Sequence, residues 1–378
     1  MNEYNTGQPP EANGPAPVNP PPVGYGYTQP GVFASNMPYT PYPQPSQSPY
    51  PPYSGFIPPP LLPEMIEKRQ VRKLAVKIGM TLIVLMGLMF LWAIAFYFFG
   101  GVFGLSAEDL SALLSNPVVL QVVQIVLSGF CFTIPFVIMA KMGRQRVSDI
   151  IPLGKPEKGL ALPFFLFGIA FCAFANLAVS QASGIFEGFG IHYEVDFGEN
   201  PTGIYGFLLS TIATAIVPGL VEEFALRGVV MGSLRKYGDT FALLMSSLLF
   251  GLMHGNFQQA PFAFLVGLAV GYCVLKTNSL WVACAIHAFN NFISVFFEYV
   301  MDPLPVAVQN FSYAILLTAI LLGGILALIR LKDRKDVFGL PVPELVSNTN
   351  QRVKWFLSSP VIVIFIVICL LQAVLYFF

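Results

Sequence analysis

Charge is what this sequence has least of. Asp, Glu, Lys and Arg make up 11% of its 378 residues, against about 25% in ordinary soluble domains. With 55% hydrophobic residues beside so few charges, a water-exposed globular surface is excluded and the chain reads as a membrane protein. Net charge is absent as well: Lys+Arg 20 and Asp+Glu 20 cancel to +0. No basic field is available to gather DNA or RNA, and no nucleic-acid partner is expected. The five cysteines, Cys131, Cys172, Cys273, Cys284 and Cys369, form no C-x-x-C pair and no zinc-ribbon spacing, so they read as small core residues. Nor does the chain open with a basic segment, a short apolar stretch and a cleavage site, so no signal peptide is expected.

Proline is concentrated instead of scarce. Nineteen of the 32 prolines fall in the first 63 residues, among Tyr, Gly, Ser, Gln and Asn, a composition that cannot bury a core or sustain helix or sheet hydrogen bonds. Residues 1–66 are therefore expected to be a disordered cytoplasmic tail. Segments such as Pro49 to Tyr53 have the composition to dock as polyproline II in an aromatic groove, although a solvated extension is the plainer reading.

From about Lys77 onward, apolar runs alternate with short polar breaks, and about 20 apolar residues suffice for a helix to cross the bilayer. Nine runs stand out, at about 77–100, 118–140, 160–183, 204–230, 240–258, 261–276, 279–299, 307–330 and 357–378, with breaks such as Asn116-Pro117 and Asp302-Pro303. The sixth is the shortest and the weakest candidate. The fold class expected is all-α and polytopic, with about eight or nine transmembrane helices: a membrane domain over 67–330, a cytoplasmic linker at 331–356 and an additional C-terminal helix at 357–378. Lys68, Arg69, Arg72 and Lys73, then Lys141 to Lys158, then Arg235 and Lys236, then Arg330 to Lys354 all fall on one side. The opposite loops carry Glu108, Asp109, Glu187, Glu194, Asp196, Glu199 and Asp302. By the positive-inside rule the amino terminus is inside and the carboxyl terminus outside, the plasma membrane being the location in a bacterium.

Ionisable groups within a span mark function by default. The fourth run contains Glu222-Glu223 and Arg227, the fifth Phe250 and His254, the seventh His287 and Asn291. At about 1.5 Å per residue, Glu222 lies roughly 20 Å in from Arg235, His254 roughly 22 Å in from Asp239, and His287 and Asn291 roughly 13 and 20 Å in from Asn278. All converge near mid-membrane. Glu223 and Arg227, at i and i+4, share a face, so the arginine can neutralise one carboxylate and leave Glu222 free. His287 and Asn291 share a face in the same way. His254, His287 and Glu223 have the chemistry to hold a divalent metal, zinc first among candidates, with a further carboxylate as base on a bound water, and Asn291 can donate to an oxyanion. This is equipment for peptide-bond hydrolysis.

Plainer readings exist for each residue alone. A Glu–Arg pair can be structural, a helical His can be a packing residue, and an Asn in a span can be interhelical glue. Phe250 reads as packing support for His254, Glu298 as interfacial and His192 as solvated. Two other functions use the same residue types: a non-catalytic immunity or peptide-binding protein, and an ion-coupled transporter, for which no inverted repeat of broken helices is evident.

Taken in order, Glu222-Glu223-x-x-x-Arg227, Phe250-x-x-x-His254 and His287-x-x-x-Asn291 resemble the intramembrane proteases of the CAAX-processing and bacteriocin-processing group, also called Abi or CPBP proteins. The run Thr277-Asn278-Ser279-Leu280-Trp281 is similar to that family's T-G-S-L-W. The resemblance covers about residues 215–295 and implies an all-helical membrane endopeptidase with its protease core at about 204–299 and its active site opening to the cytoplasm. It implies that Glu222 activates water, with Glu223 its neighbour and Arg227 the paired arginine. His254 and His287 would be metal or transition-state ligands, and Asn291 the oxyanion stabiliser. Its implied substrates are lipid-modified peptides or leader peptides at the bilayer. The segment 357–378 and the long tail depart from the family's pattern of about eight spans.

Overall fold

The computed structural model describes residues 62–143, 146–188, 199–334 and 337–375. Most of the Pro/Tyr-rich tail, Arg144, His192, Glu194, Asp196 and Lys335 lie outside them. Twelve helices occur among the described residues: α1 Pro63–Val102, α2 Ala107–Leu114, α3 Pro117–Met142, α4 Val147–Ile150, α5 Ala161–Gly188, α6 Gly203–Tyr237, α7 Asp239–Leu252, α8 Gln259–Thr277, α9 Leu280–Met301, α10 Val306–Leu331, α11 Thr349–Leu357 and α12 Pro360–Leu375. No strand occurs among the described residues. Among the described residues seven helices are long and apolar enough to cross a membrane, and an eighth span results if α11 and α12, bent by 71°, count together. The chain is an integral multi-pass membrane protein.

The nine apolar runs therefore give seven or eight spans, and the shortfall is in the fifth run, not the sixth. Helix α7 stops at Leu252 after 14 residues, because Gly255 takes a left-handed φ of 62° and the Asn256 side chain accepts from the Gln259 amide at 2.7 Å, starting α8. The sixth run is the full 19-residue α8. At the front, α1 begins at Pro63, where a proline needs no helical donor. Lys68, Arg69, Arg72 and Lys73 thus sit inside the helix instead of ahead of it.

Local caps fix several boundaries. Asn116 accepts from the Val118 and Val119 amides ahead of α3, and reciprocal capping boxes start α2 (Ser106 with Asp109) and α11 (Asn348 with Gln351).

The centre of the bundle is α6, packed against α3, α7 and α9, with α8 behind α7 and α5 and α10 beyond it. Helices α7 and α8 form an antiparallel hairpin at close range. A Cβ placed on Gly271 would lie 2.6 Å from Leu243, one on Gly267 3.0 Å from Ser247 and one on Gly251 3.0 Å from Phe264. Small residues at such seams let membrane helices approach. On the far side α12 packs on α1, with Gly79 facing Val361. A polar latch holds the connecting segment down. Buried Arg352 donates to the carbonyls of Tyr237, Ser347 and Asn348, and buried Glu67 accepts from the Ser347 hydroxyl at 2.6 Å and its amide at 3.2 Å.

Candidate active site

Helix α6 changes its hydrogen-bonding register around the paired glutamates. Thr211–Ile216 and Phe224–Met231 are wound as π-helix, and Val217–Glu223 between them as α-helix. Single π turns inside α-helices concentrate at functional sites. Pro218 supplies a local cause for the first: an α-helix would pair the Thr214 carbonyl with the nitrogen of residue 218, and proline has no N–H. The Asn291 side-chain nitrogen donates to the Thr214 carbonyl instead, at 2.9 Å. That bond ties α9 to α6 about two turns before the glutamates and leaves the second hydrogen of the same nitrogen available.

Glu223 is wholly buried, and its Oε1 accepts twice, from Arg227 Nη1 at 3.0 Å and from His287 Nδ1 at 2.8 Å. Arg227, equally buried, lies over the Phe250 ring at 4.1 Å from the centroid, so the arginine charge is met by a carboxylate on one side and an aromatic face on the other. The same ring stands edge-on to both imidazoles, 5.0 Å from His254 and 5.9 Å from His287. Its backbone carbonyl accepts from His254 Nδ1 at 2.8 Å. A carbonyl can only accept, so His254 carries its proton on Nδ1; His287, donating to a carboxylate, does the same. Each neutral ring then keeps Nε2 as its free atom.

Glu222 differs from its neighbour. It is half-buried and makes no hydrogen bond or ion pair to a described residue. The structure thus brings Glu223, Arg227, His287 and Phe250 into direct contact, sets His254 against the same ring, and holds Asn291 on the adjoining turn. His254 sits in the turn after α7 rather than within a helical span. Glu298 lies on the π-wound end of α9 and accepts from Asn200 at 2.6 Å.

Two supports were not legible as site residues. Gly219 faces α9 so closely that an added Cβ would lie 3.0 Å from the Ala288 nitrogen, and this sets the distance between Glu222–Glu223 and His287. The Thr277–Trp281 run anchors the start of α9. The Leu280 amide donates to the Pro152 carbonyl at 2.7 Å, Ser279 Oγ to Gly154 at 2.9 Å and Trp281 Nε1 to Leu153 at 3.2 Å. A proline within an apolar run and a Gly one residue later were the only sequence signals for the first of these supports.

A metal needs convergent donors, three from the protein at a catalytic zinc. The two free Nε2 atoms are suitable donors, and Glu223 keeps a buried Oε2 without a hydrogen-bond partner while its Oε1 accepts from Arg227 and His287. Among the described residues no group of three or more His, Cys, Asp or Glu side chains is placed to hold a metal ion. The set His254, His287 and Glu223 therefore does not fit a metal in this arrangement.

Residues 204–293 match the family described as Type II CAAX prenyl endopeptidase Rce1-like. This segment is similar to the CAAX protease family. A Bacillus subtilis (strain 168) protein named "Putative membrane peptidase YdiL" is 29% identical over 84 residues, which are 22% of this chain and 34% of that protein. The chain thus spans about a third of the length of the curated relative it matches. No solved structure matches. The matched segment, similar to CAAX proteases, runs from the start of α6 into α9 and contains Glu222, Glu223, Arg227, His254, His287 and Asn291.

Proposed function

We propose that the chain is an intramembrane endopeptidase of the CAAX-processing type, in which Glu222 activates the water that hydrolyses the peptide bond. The observation that carries this reading is the division of labour between adjacent carboxylates: Glu223 is held by Arg227 and His287 through its Oε1, while the half-buried Glu222 makes no hydrogen bond or ion pair to a described residue. Glu222 takes a proton from water as the water oxygen bonds to the scissile carbonyl carbon. The negative oxygen is met by the second hydrogen of Asn291 Nδ2, and by an imidazole Nε2 when that ring is protonated. When the C–N bond breaks, the amine leaves with the proton held by Glu222. Glu223 and Arg227 hold His287, and Phe250 holds His254. The substrates proposed are peptides presented at the bilayer, lipid-modified or leader peptides. Lys and Arg gathered at one end of the bundle favour a cytoplasmic amino terminus, in the plasma membrane of a bacterial host.

The test is new amino termini in membranes holding wild type or Glu222→Gln, labelled chemically and identified by mass spectrometry. The proposal expects a set of membrane-proximal termini present only with wild type. Identical sets from the two proteins, at equal abundance of folded protein, would overturn it.

A further inference from the structure

Between the start of α5 and the end of α10 lies a cavity of about 540 Å³. Its wall changes character along its length. One end carries Lys158, Arg330 and Arg334, and the rest is lined by Leu162, Leu166 and Leu326 among other apolar groups. Arg334 is held by Glu157, with Nη1 and Nη2 donating to its two carboxylate oxygens at 3.1 and 3.4 Å. Lys158 and Arg330 are exposed, and neither makes a hydrogen bond or ion pair to a described residue. Glu157 offsets one of the three charges and two remain uncommitted.

The position selects the ligand. Both helices are spans, so Leu162 and Leu326, 65% and 60% exposed, face hydrocarbon, while the cations stand where the helices leave it. An acidic peptide would satisfy the cations and leave the leucine-lined part empty. A zwitterionic lipid would fill that part and bring its own cation against Lys158 and Arg330. We propose that this groove binds an anionic phospholipid, its phosphate on Lys158, Arg330 and Arg334 and an acyl chain along Leu162, Leu166 and Leu326. Basic pockets between membrane helices recognise such headgroups elsewhere by the same chemistry. The groove is built from α5 and α10, which lie outside the matched segment, so this lipid is not the substrate of the reaction proposed above.

The test uses the full chain in detergent, titrated with phosphatidylglycerol or phosphatidylcholine, with bound lipid counted by native mass spectrometry. Phosphatidylglycerol is expected to be retained, weakened about fivefold in Lys158→Gln and roughly thirtyfold in Lys158→Gln/Arg330→Gln. The Lys68→Gln/Arg69→Gln variant, which removes exposed charges on α1, is expected to retain the lipid as wild type does. Leu326→Trp leaves every cation in place and fills the groove, and it too is expected to lose the lipid, which keeps the test decisive if the double variant does not fold. Equal retention of phosphatidylcholine, equal loss in the α1 variant, or unchanged binding in Lys158→Gln/Arg330→Gln and Leu326→Trp would each overturn the proposal. Displacement of phosphatidylglycerol by millimolar inorganic phosphate would overturn it in favour of a free-anion site.

Discussion

The side chain of Asn291 donates to the main-chain carbonyl of Thr214 at 2.9 Å, the carbonyl that Pro218 deprives of its α-helical donor. An amide that reads from sequence as an oxyanion donor therefore also completes the backbone of the helix bearing the glutamates. Removing the donor leaves a half-buried carbonyl unpaired, at a cost of about 1 kcal/mol, the low end of the range for a buried group. Asn291→Ala and Asn291→Asp, neither of which can donate, are expected to lower apparent thermal stability by that order and to abolish cleavage. Pro218→Ala restores an N–H at 218. In the Asn291→Ala background it is expected to recover stability but not cleavage, which thermal unfolding beside a peptidase assay would show.

The adjacent carboxylates should respond oppositely to the same change. Glu222→Gln is expected to keep its stability within about 0.5 kcal/mol and to lose cleavage by roughly 10²–10⁴-fold, the range of a general base. Glu223→Gln leaves Arg227 buried without its counter-charge, a defect of about 3–5 kcal/mol, and should appear first as lost folded protein in detergent. Comparable unfolding in both variants would remove the distinction on which the catalytic assignment rests.

Gly219 offers a geometric test that introduces no charge. With the Ala288 nitrogen 3.0 Å from where a Cβ would stand, Gly219→Ala must move α9 by a few tenths of an ångström. The expected result is a stability loss of about 1–3 kcal/mol from overpacking and a cleavage loss larger than that destabilisation alone accounts for. Measuring kcat on the remaining folded fraction separates the two.

Metal content tests the donor geometry. Because no three His, Cys, Asp or Glu side chains among the described residues are placed to hold a metal ion, protein purified without chelator is expected to carry no stoichiometric zinc by elemental mass spectrometry. Stoichiometric zinc that disappears in His254→Ala/His287→Ala would mean that Glu223 leaves its partners, or that Glu222 serves as the third donor.

Much of this architecture was legible because hydrocarbon imposes simple demands: long apolar runs became helices, and the few charged groups inside them met. Glu223 with Arg227 followed from i, i+4 spacing, and the meeting with His287 from matched depth. The end of α7 did not follow, because hydropathy ran on through Gly255-Asn256, whose turn chemistry outweighed it. The π turns of α6 were illegible for a different reason. Pro218 marks a missing donor, but only the fold shows that α9 brings Asn291 to the orphaned carbonyl. Phe250 read as support for His254, and that reading omits its face under Arg227 and its edge toward His287.

The latch around Arg352 bears on how the molecule is made. Glu67 and Ser347 are 280 positions apart in sequence, and Arg352 and Tyr237 are 115. During synthesis the helices carrying the glutamates and histidines emerge well before Arg352 does. Until Arg352 emerges, the Tyr237 carbonyl at the end of α6 lacks that donor, and Glu67 on α1 lacks Ser347. Biogenesis therefore has a defined last step, in which the arriving carboxyl-terminal segment fastens the first helix to the end of the one that bears the paired glutamates. A ribosome stalled shortly before codon 347 would hold a bundle whose glutamates and histidines are already threaded through the membrane but whose two ends are not yet joined.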